Sequence, residues 1–273
     1  ETLFCMRHYT KTIIESHSSK EFIKEPDIYK KEIIIKTIIN KFISLKKNFL
    51  FNKMSAFVTL TEADANAWKN LKNCVVIPNF IRFFTSQTKN KKIENRTVIS
   101  VGRLNYLKGF DRLIYAWNIV HKKHDKWNLI IYGDGSEKKR LEEKISQLNL
   151  NKTIFLNHAI PNIYDKYIES DFFVLTSRSE GFGIVLIEAM SSGIPCISFN
   201  CPYGPAEIIK DKVDGFLVEN GNINQLAKKI CILIENREKR ILFGDNAKQN
   251  VKRFAPETIM TKWKELFESL VSK

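Results

Sequence analysis

The chain has 273 residues, 44% of them hydrophobic and 27% charged, and its 44 Lys and Arg against 30 Asp and Glu leave a net charge of +14. At about 150 residues per domain the length suits two domains with real cores, and the composition excludes a disordered, collagenous or disulfide-stapled chain. The positive balance favours anionic partners such as nucleotides, nucleic acid or a membrane surface, although heavy Lys, Ile and Asn usage throughout makes a coding bias an equal explanation. Five cysteines (Cys5, Cys74, Cys196, Cys201, Cys231) form no C-x-x-C pair and stand beside no His cluster. That argues against disulfides or a zinc site and fits mostly buried thiols in a reducing cytoplasm. No apolar run of about 18 residues suggests a membrane span, and no N-terminal segment reads as a secretion signal. The opening Glu-Thr-Leu, with no Met, leads us to expect a natural protein that begins upstream.

In chain order, Thr12–Glu15 reads as a strand, 28–53 as helical, Ala56–Leu60 as a strand, 62–70 as a helix and Val75–Pro78 as a strand. These resemble the closing units of an α/β domain, which we place at residues 1–84. The stretch Thr85–Arg96, with its Lys-Asn-Lys-Lys run, has no apolar period and reads as a hinge or exposed loop. From there short β-branched runs alternate with amphipathic ones. Strands are expected at Thr97–Val101, Asn128–Tyr132, Thr153–Leu156, Phe172–Thr176, Pro195–Ser198 and Gly215–Val218. Helices are expected near 109–122, 136–148, 161–169, 184–192, 205–210 and 222–235. This alternation predicts a second α/β domain, residues 85–273, with a parallel sheet buried on both faces. The last helix is a candidate to pack back on the first domain.

The strongest chemical signal is Ser177-Arg-Ser-Glu180-Gly181-Phe182-Gly183-Ile184, which runs from strand through loop into a helix carrying Glu188. Glycines let backbone approach a ligand, and a helix start points unpaired N–H groups and a partial positive charge at it, which suits a phosphate. Glu180 and Glu188 would bracket that ligand and accept hydrogen bonds from sugar or ribose hydroxyls. A second cluster, Val101-Gly102-Arg103-Leu-Asn-Tyr-Leu-Lys108-Gly109-Phe110-Asp111, puts a guanidinium and an ammonium at the carboxyl end of a strand, where open α/β sheets bind ligands. Either charge alone also reads as a solvated loop residue. The Tyr132-Gly133-Asp-Gly135-Ser136 turn fits a nucleotide contact or a plain tight turn.

Taken together, V-G-R-L-x4-G-F-D, the G-D-G turn and E-G-F-G-I-V-L-I-E-A-M resemble the retaining glycosyltransferases of GT-B fold, glycosyltransferase family 4 (group 1), over nearly all of residues 55–270. The resemblance implies two Rossmann-like domains facing a cleft, the N-terminal one incomplete here. It also implies a nucleotide-diphosphate sugar donor, a UDP-sugar being favoured, held mostly on the C-terminal domain; no acidic cluster at metal-ligand spacing appears in the sequence, so no metal is expected to be required. Carried onto matching positions, Arg103 and Lys108 hold the diphosphate, Glu188 the ribose, and Glu180 contacts the transferred sugar. The Gly181-Phe182-Gly183-Ile184 backbone and Gly133 belong to the donor site. Family members place a functional His after an N-terminal strand, and His17 is the candidate, with an ordinary surface or core His as the alternative. The family's early Gly-rich loop is missing. Asn157 stands where a Gly is common, and Cys201–Glu207 resembles a loop of polysaccharide- and glycan-assembling members.

Residues 28–53 carry seven Lys (Lys30, Lys31, Lys36, Lys41, Lys46, Lys47, Lys53) and Glu32 among Ile, Phe and Leu. Such a helix either touches anionic lipid on the cytoplasmic face or packs an apolar face on its own sheet. The expected activity is hexose transfer, with retention, to a glycan or lipid-linked acceptor in cell-surface polysaccharide or glycan assembly, and no nucleic-acid partner is expected. Two other readings stay open. A GT-B sugar-nucleotide epimerase forms product from donor alone, whereas a non-catalytic polyanion binder shows steep salt dependence and indifference to Glu180.

Overall fold

The computed structural model describes residues 11–17, 49–81 and 94–272. Most of the basic stretch 28–53 and most of the Thr85–Arg96 linker therefore lie outside the described residues. In the first domain, β1 (Ile13–Glu15), β2 (Ala56–Thr59) and β3 (Cys74–Val76) form a parallel sheet in the order β1-β2-β3, with helix α1 (Glu62–Ala67) between β2 and β3. Burial of all four β2 residues reflects apolar cover on both faces.

In the second domain six parallel strands stand in the order β6-β5-β4-β7-β8-β9. They are β4 (Thr97–Val101), β5 (Asn128–Tyr132), β6 (Ile154–Asn157), β7 (Phe172–Leu175), β8 (Cys196–Asn200) and β9 (Gly215–Glu219). The helices are α2 (Phe110–His121), α3 (Lys138–Gln147), α4 (Tyr164–Ile168), α5 (Ile184–Ser191), α6 (Pro205–Ile208), α7 (Ile223–Glu235), α8 (Arg237–Asn250) and α9 (Pro256–Val271). Each expected strand appears within two residues of its boundaries. The expected helix at 161–169 shrinks to five residues, because Pro161 and the Asn162 side chain, which accepts from the Tyr164 amide, hold a turn there.

One face of this sheet packs Leu113 and Trp117 of α2 with Leu226 and Ile230 of α7; the other packs Leu186, Ile187 and Met190 of α5 with Ala247 of α8. Each fully buried aliphatic side chain contributes about 1.5–3 kcal/mol. The buried Ser100 hydroxyl is satisfied across the sheet, donating to the Val174 carbonyl between β4 and β7.

Helix α9 leaves its own sheet and buries Ile259, Leu266 and Leu270 against Ala56, Val58 and Ile77. Two further ties join the domains. The Glu207 carboxylate accepts from the amides of Glu62 (2.9 Å) and Ala63 (2.8 Å), covering the amino end of α1, and Leu60 and Ile81 enter the cluster of Phe182, Ile208 and Phe254. The order of the strands reverses about β4, whose neighbours are β5 and β7, so the loops after β4 and β7 flank the sheet's switch point. In open parallel sheets the ligand crevice forms there, at the carboxyl ends of the strands.

Candidate active site at the switch point

The loop after β4 is shaped by its own side chains. Asn105 accepts from the Lys108 amide (3.1 Å) and closes a single 3₁₀ turn over Tyr106–Lys108. Gly109 follows at φ +65°, and a Cβ there would lie 2.1 Å from the Thr176 carbonyl oxygen. Only glycine lets this loop rest directly on the one after β7. The two are laced by the Arg178 amide donating to the Leu107 carbonyl (2.7 Å) and the Thr176 hydroxyl to the Lys108 carbonyl (3.3 Å).

Arg178 completes the junction. Its guanidinium forks onto both Asp111 carboxylate oxygens (2.9 and 2.7 Å), donates to the Tyr106 carbonyl (2.6 Å) and lies 3.9 Å from the Tyr106 ring centroid. Burial by itself pushes the Asp111 carboxyl up, but the hydrogen bonds and charge of Arg178 outweigh it and hold the carboxyl below the usual range. The sequence reading assigned no role to Arg178. Its neighbours Ser177 and Glu180 mark a loop, while its partner lies on another helix start that no local spacing reveals.

Above this junction, Glu180 is buried at 7% side-chain exposure and holds Lys108, whose ammonium lies 2.7 and 2.9 Å from the two carboxylate oxygens. The Ser177 hydroxyl also donates to Glu180. Beside them, burial and then the charge of Glu180 push the Cys201 thiol up to about 12, which makes it no nucleophile near neutrality. The Gly181–Gly183 turn has a divided role. The Phe182 ring is buried edge-on against Phe254 (centroids 5.4 Å apart), so its side chain is core and only its backbone faces the turn. Gly183, at φ +95°, opens α5, whose first-turn amides carry partial positive charge. Ile184 is the first residue of that helix, and Glu188 lies about one turn in, accepting from the Tyr167 hydroxyl at 3.2 Å. Burial, reinforced by the charge of Glu188, raises that hydroxyl well above its ordinary value and keeps it a donor.

Lys108 and Glu180 thus meet directly, with Gly181–Ile184 continuing from them and Glu188 on the same helix. Arg103 stands exposed on the Lys108 loop. Gly133 has a packing explanation, since a Cβ there would sit 1.9 Å from the Gly102 carbonyl oxygen, and one on Gly135 would sit 2.3 Å from that of Leu104. These glycines interlock the loops after β4 and β5. The turn also holds an exposed cluster that the sequence reading missed. Asp134 accepts from the Ala159 amide (3.0 Å) and contacts His158 Nδ1 (2.6 Å), while His158 Nε2 lies 3.0 Å from Lys138 Nζ. His17 sits two residues beyond β1, at 64% side-chain exposure and 3.4 Å from Glu15, and no described contact joins it to Lys108 or Glu180.

The family described as "Glycosyl transferases group 1" matches residues 82–250. The chain is 36% identical over 229 residues to the amylovoran biosynthesis glycosyltransferase AmsD of Erwinia amylovora, covering 81% of this chain and 64% of that protein. It is 33% identical over 223 residues to an uncharacterized glycosyltransferase of Haemophilus influenzae, covering 81% and 63%. The chain therefore spans just under two thirds of either relative. Among solved structures, a variant of S. aureus TarM in complex with fondaparinux, alpha-GlcNAc-glycerol and UDP aligns with a TM-score of 0.77 at 30% identity, over 93% of this chain and 50% of that one. The fold is that of GT-B glycosyltransferases, and the chain belongs to the group 1 glycosyltransferase family.

Proposed function

We propose that the protein transfers a hexose from a nucleotide-diphosphate sugar, a UDP-sugar being favoured, to a glycan or lipid-linked acceptor with retention at the anomeric carbon, in the assembly of a cell-surface polysaccharide. The observation that carries this reading is the Lys108–Glu180 ion pair at the switch point, beside the start of α5. AmsD, named for amylovoran biosynthesis, and the TarM complex with UDP support it.

In this reading an arriving diphosphate takes Lys108 from Glu180 and recruits exposed Arg103. As the bond between the anomeric carbon and the phosphate oxygen breaks, its electron pair leaves on the diphosphate. Lys108, Arg103 and the α5 amides, already in place, stabilise that charge more in the transition state than in the ground state. The leaving charge is thereby met without a metal cofactor. Retention requires the acceptor hydroxyl to bond on the face the diphosphate vacates, and its proton passes to the departing phosphate oxygen. Glu180, released from Lys108, accepts hydrogen bonds from the transferred sugar, and Glu188 from the ribose. We assign His17 to the acceptor side, and the basic stretch 28–53 to peripheral contact with anionic lipid on the cytoplasmic face.

The test is a thermal-shift and calorimetric screen against UDP, GDP, ADP and their sugars. UDP at 100 times its dissociation constant should add about 2.7 kcal/mol of apparent stability. Lys108→Ala and Arg103→Ala should weaken UDP, whereas Glu180→Gln should bind UDP at least as tightly as the parent and lose transfer. Unchanged UDP affinity in both of the first two variants refutes the site. Product from donor alone would identify an epimerase instead.

A further inference from the structure

At the opposite end of the second sheet, the fold gathers three metal-ligating side chains whose sequence spacing gives no hint of it. Cys231 and Glu235 stand four residues apart on α7 and so share a helix face, while His124 lies in the turn after α2. That turn is fixed by the His124 amide donating to the Val120 carbonyl and the Trp127 amide to the His124 carbonyl. The two helices pack firmly on a shared core that includes Trp117, Val120 and Ile230. His124 Nε2 lies 3.0 Å from a Glu235 carboxylate oxygen, and the imidazole nitrogen, the Cys231 sulfur and the carboxylate oxygen all fall within 4.8 Å of one another.

We propose that His124, Cys231 and Glu235 form a site for a borderline-soft divalent cation of the Zn²⁺ class. Tetrahedral zinc, with bonds of about 2.0–2.3 Å, spaces its ligand atoms roughly 3.3–3.7 Å apart. The present separations need one gap to open by a few tenths of an ångström and the widest to close by about one. Rotation of the exposed Glu235 side chain opens the 3.0 Å gap to His124. One imidazole, one thiolate and one carboxylate neutralise a dication, and the thiol proton leaves to solvent on binding. The adjoining hollow of about 320 Å³ is lined by Lys123, Lys126 and Arg96 together with Glu94 and Asp125. Sulfur and nitrogen ligands select zinc-like ions over Mg²⁺ or Ca²⁺, which take oxygen cages. The fourth position opens toward that hollow, whose charges of both signs suit a water ligand. His124 lies before the amino end of β5, remote from the switch point, so the cation would staple α2 to α7 and take no part in sugar transfer.

The full chain, stripped with chelator, would be titrated with Co²⁺. A sulfur-to-cobalt charge-transfer band and four-coordinate visible bands should saturate at one equivalent, be displaced by Zn²⁺ and accompany a rise in melting temperature. Cys231→Ser should abolish the charge-transfer band while melting like the metal-free parent. Glu235→Gln, at an exposed position, should weaken Co²⁺ by at least the about 10–100-fold that loss of an outer-shell partner costs. Absence of the band in excess Co²⁺, or its survival in Cys231→Ser, overturns the proposal.

Discussion

Replacing Asp111 by Ala tests whether the two switch-point loops are held together by the buried fork of Arg178. Arg178 and Asp111 are only 10% and 17% exposed, so the pair has left most of its hydration behind. Removing one partner of such a pair costs about 3–5 kcal/mol, because the other charge stays buried without compensation. The Tyr106 carbonyl and ring remain beside Arg178, which places the expected loss near the lower end, about 3 kcal/mol. At about 2–4 °C per kcal/mol for a domain of this size, the melting temperature should fall by roughly 6–12 °C. The sign with pH follows from the lowered Asp111 carboxyl. Its contribution is complete above the unfolded value of about 3.9 and is lost as pH falls through the folded value beneath it. The gap between wild type and Asp111→Ala should therefore close in acid. The double change Asp111→Leu with Arg178→Met should recover much of the loss, since an apolar pair of similar volume leaves no stranded charge. A fall of less than about 1 kcal/mol, the value of an exposed pair, would show that the fork does not hold the junction.

Two other perturbations separate causes that a single variant would confound. Gly204→Ala meets both a φ of +104° and a Cβ 1.9 Å from the Phe182 carbonyl oxygen, whereas Gly193→Ala meets a φ of +75° with its nearest neighbour, Lys248 Cδ, 4.0 Å away. Gly193→Ala should cost about 1–2 kcal/mol from backbone conformation alone. Gly204→Ala should cost clearly more and should also weaken UDP, because it pushes on the turn leading into α5; equal melting losses would show that the close approach does not matter. Glu207→Gln keeps one acceptor at the amino end of α1 but removes the charge, and should cost about 0.3–1 kcal/mol. Amide exchange at residues 62–64 should rise in that variant, and no change there would mean that the contact between the domains is not maintained in solution.

The sheet was legible in the sequence because buried parallel strands are short, continuous and apolar, as in Phe172–Leu175, and because a glycine or an Asx side chain marks most of their ends. Helix α8 was not, and its inward face shows why. It buries Arg240, whose guanidinium donates to the Leu233 and Ile234 carbonyls and contacts Glu94, and it buries Gly244, whose missing side chain admits the Gly193 carbonyl at 2.3 Å from where a Cβ would be. Both residues interrupt the apolar period by which a helix is recognised. The Glu180–Gly183 turn and the Arg103–Lys108 loop could be found because each is local. Their direct meeting through Lys108 and Glu180 could not, since it depends on β4 and β7 being neighbours in the sheet.

That adjacency also accounts for how a buried carboxylate is tolerated at Glu180. Glu180, enclosed by the β7 and β8 loops, would be costly to bury unpaired, and Lys108 is the cation within reach. A diphosphate that draws Lys108 away must leave Glu180 another donor, and the Ser177 hydroxyl, already bonded to it, together with the hydroxyls of a sugar, fits that need. Donor binding and placement of the sugar at Glu180 should consequently be coupled: a nucleotide-sugar satisfies both groups, whereas a bare nucleoside diphosphate satisfies only the lysine. Glu180→Gln removes the competing anion and should therefore tighten UDP relative to the UDP-sugar. A variant in which both ligands shift equally would show that the ion pair plays no part in recognising the donor.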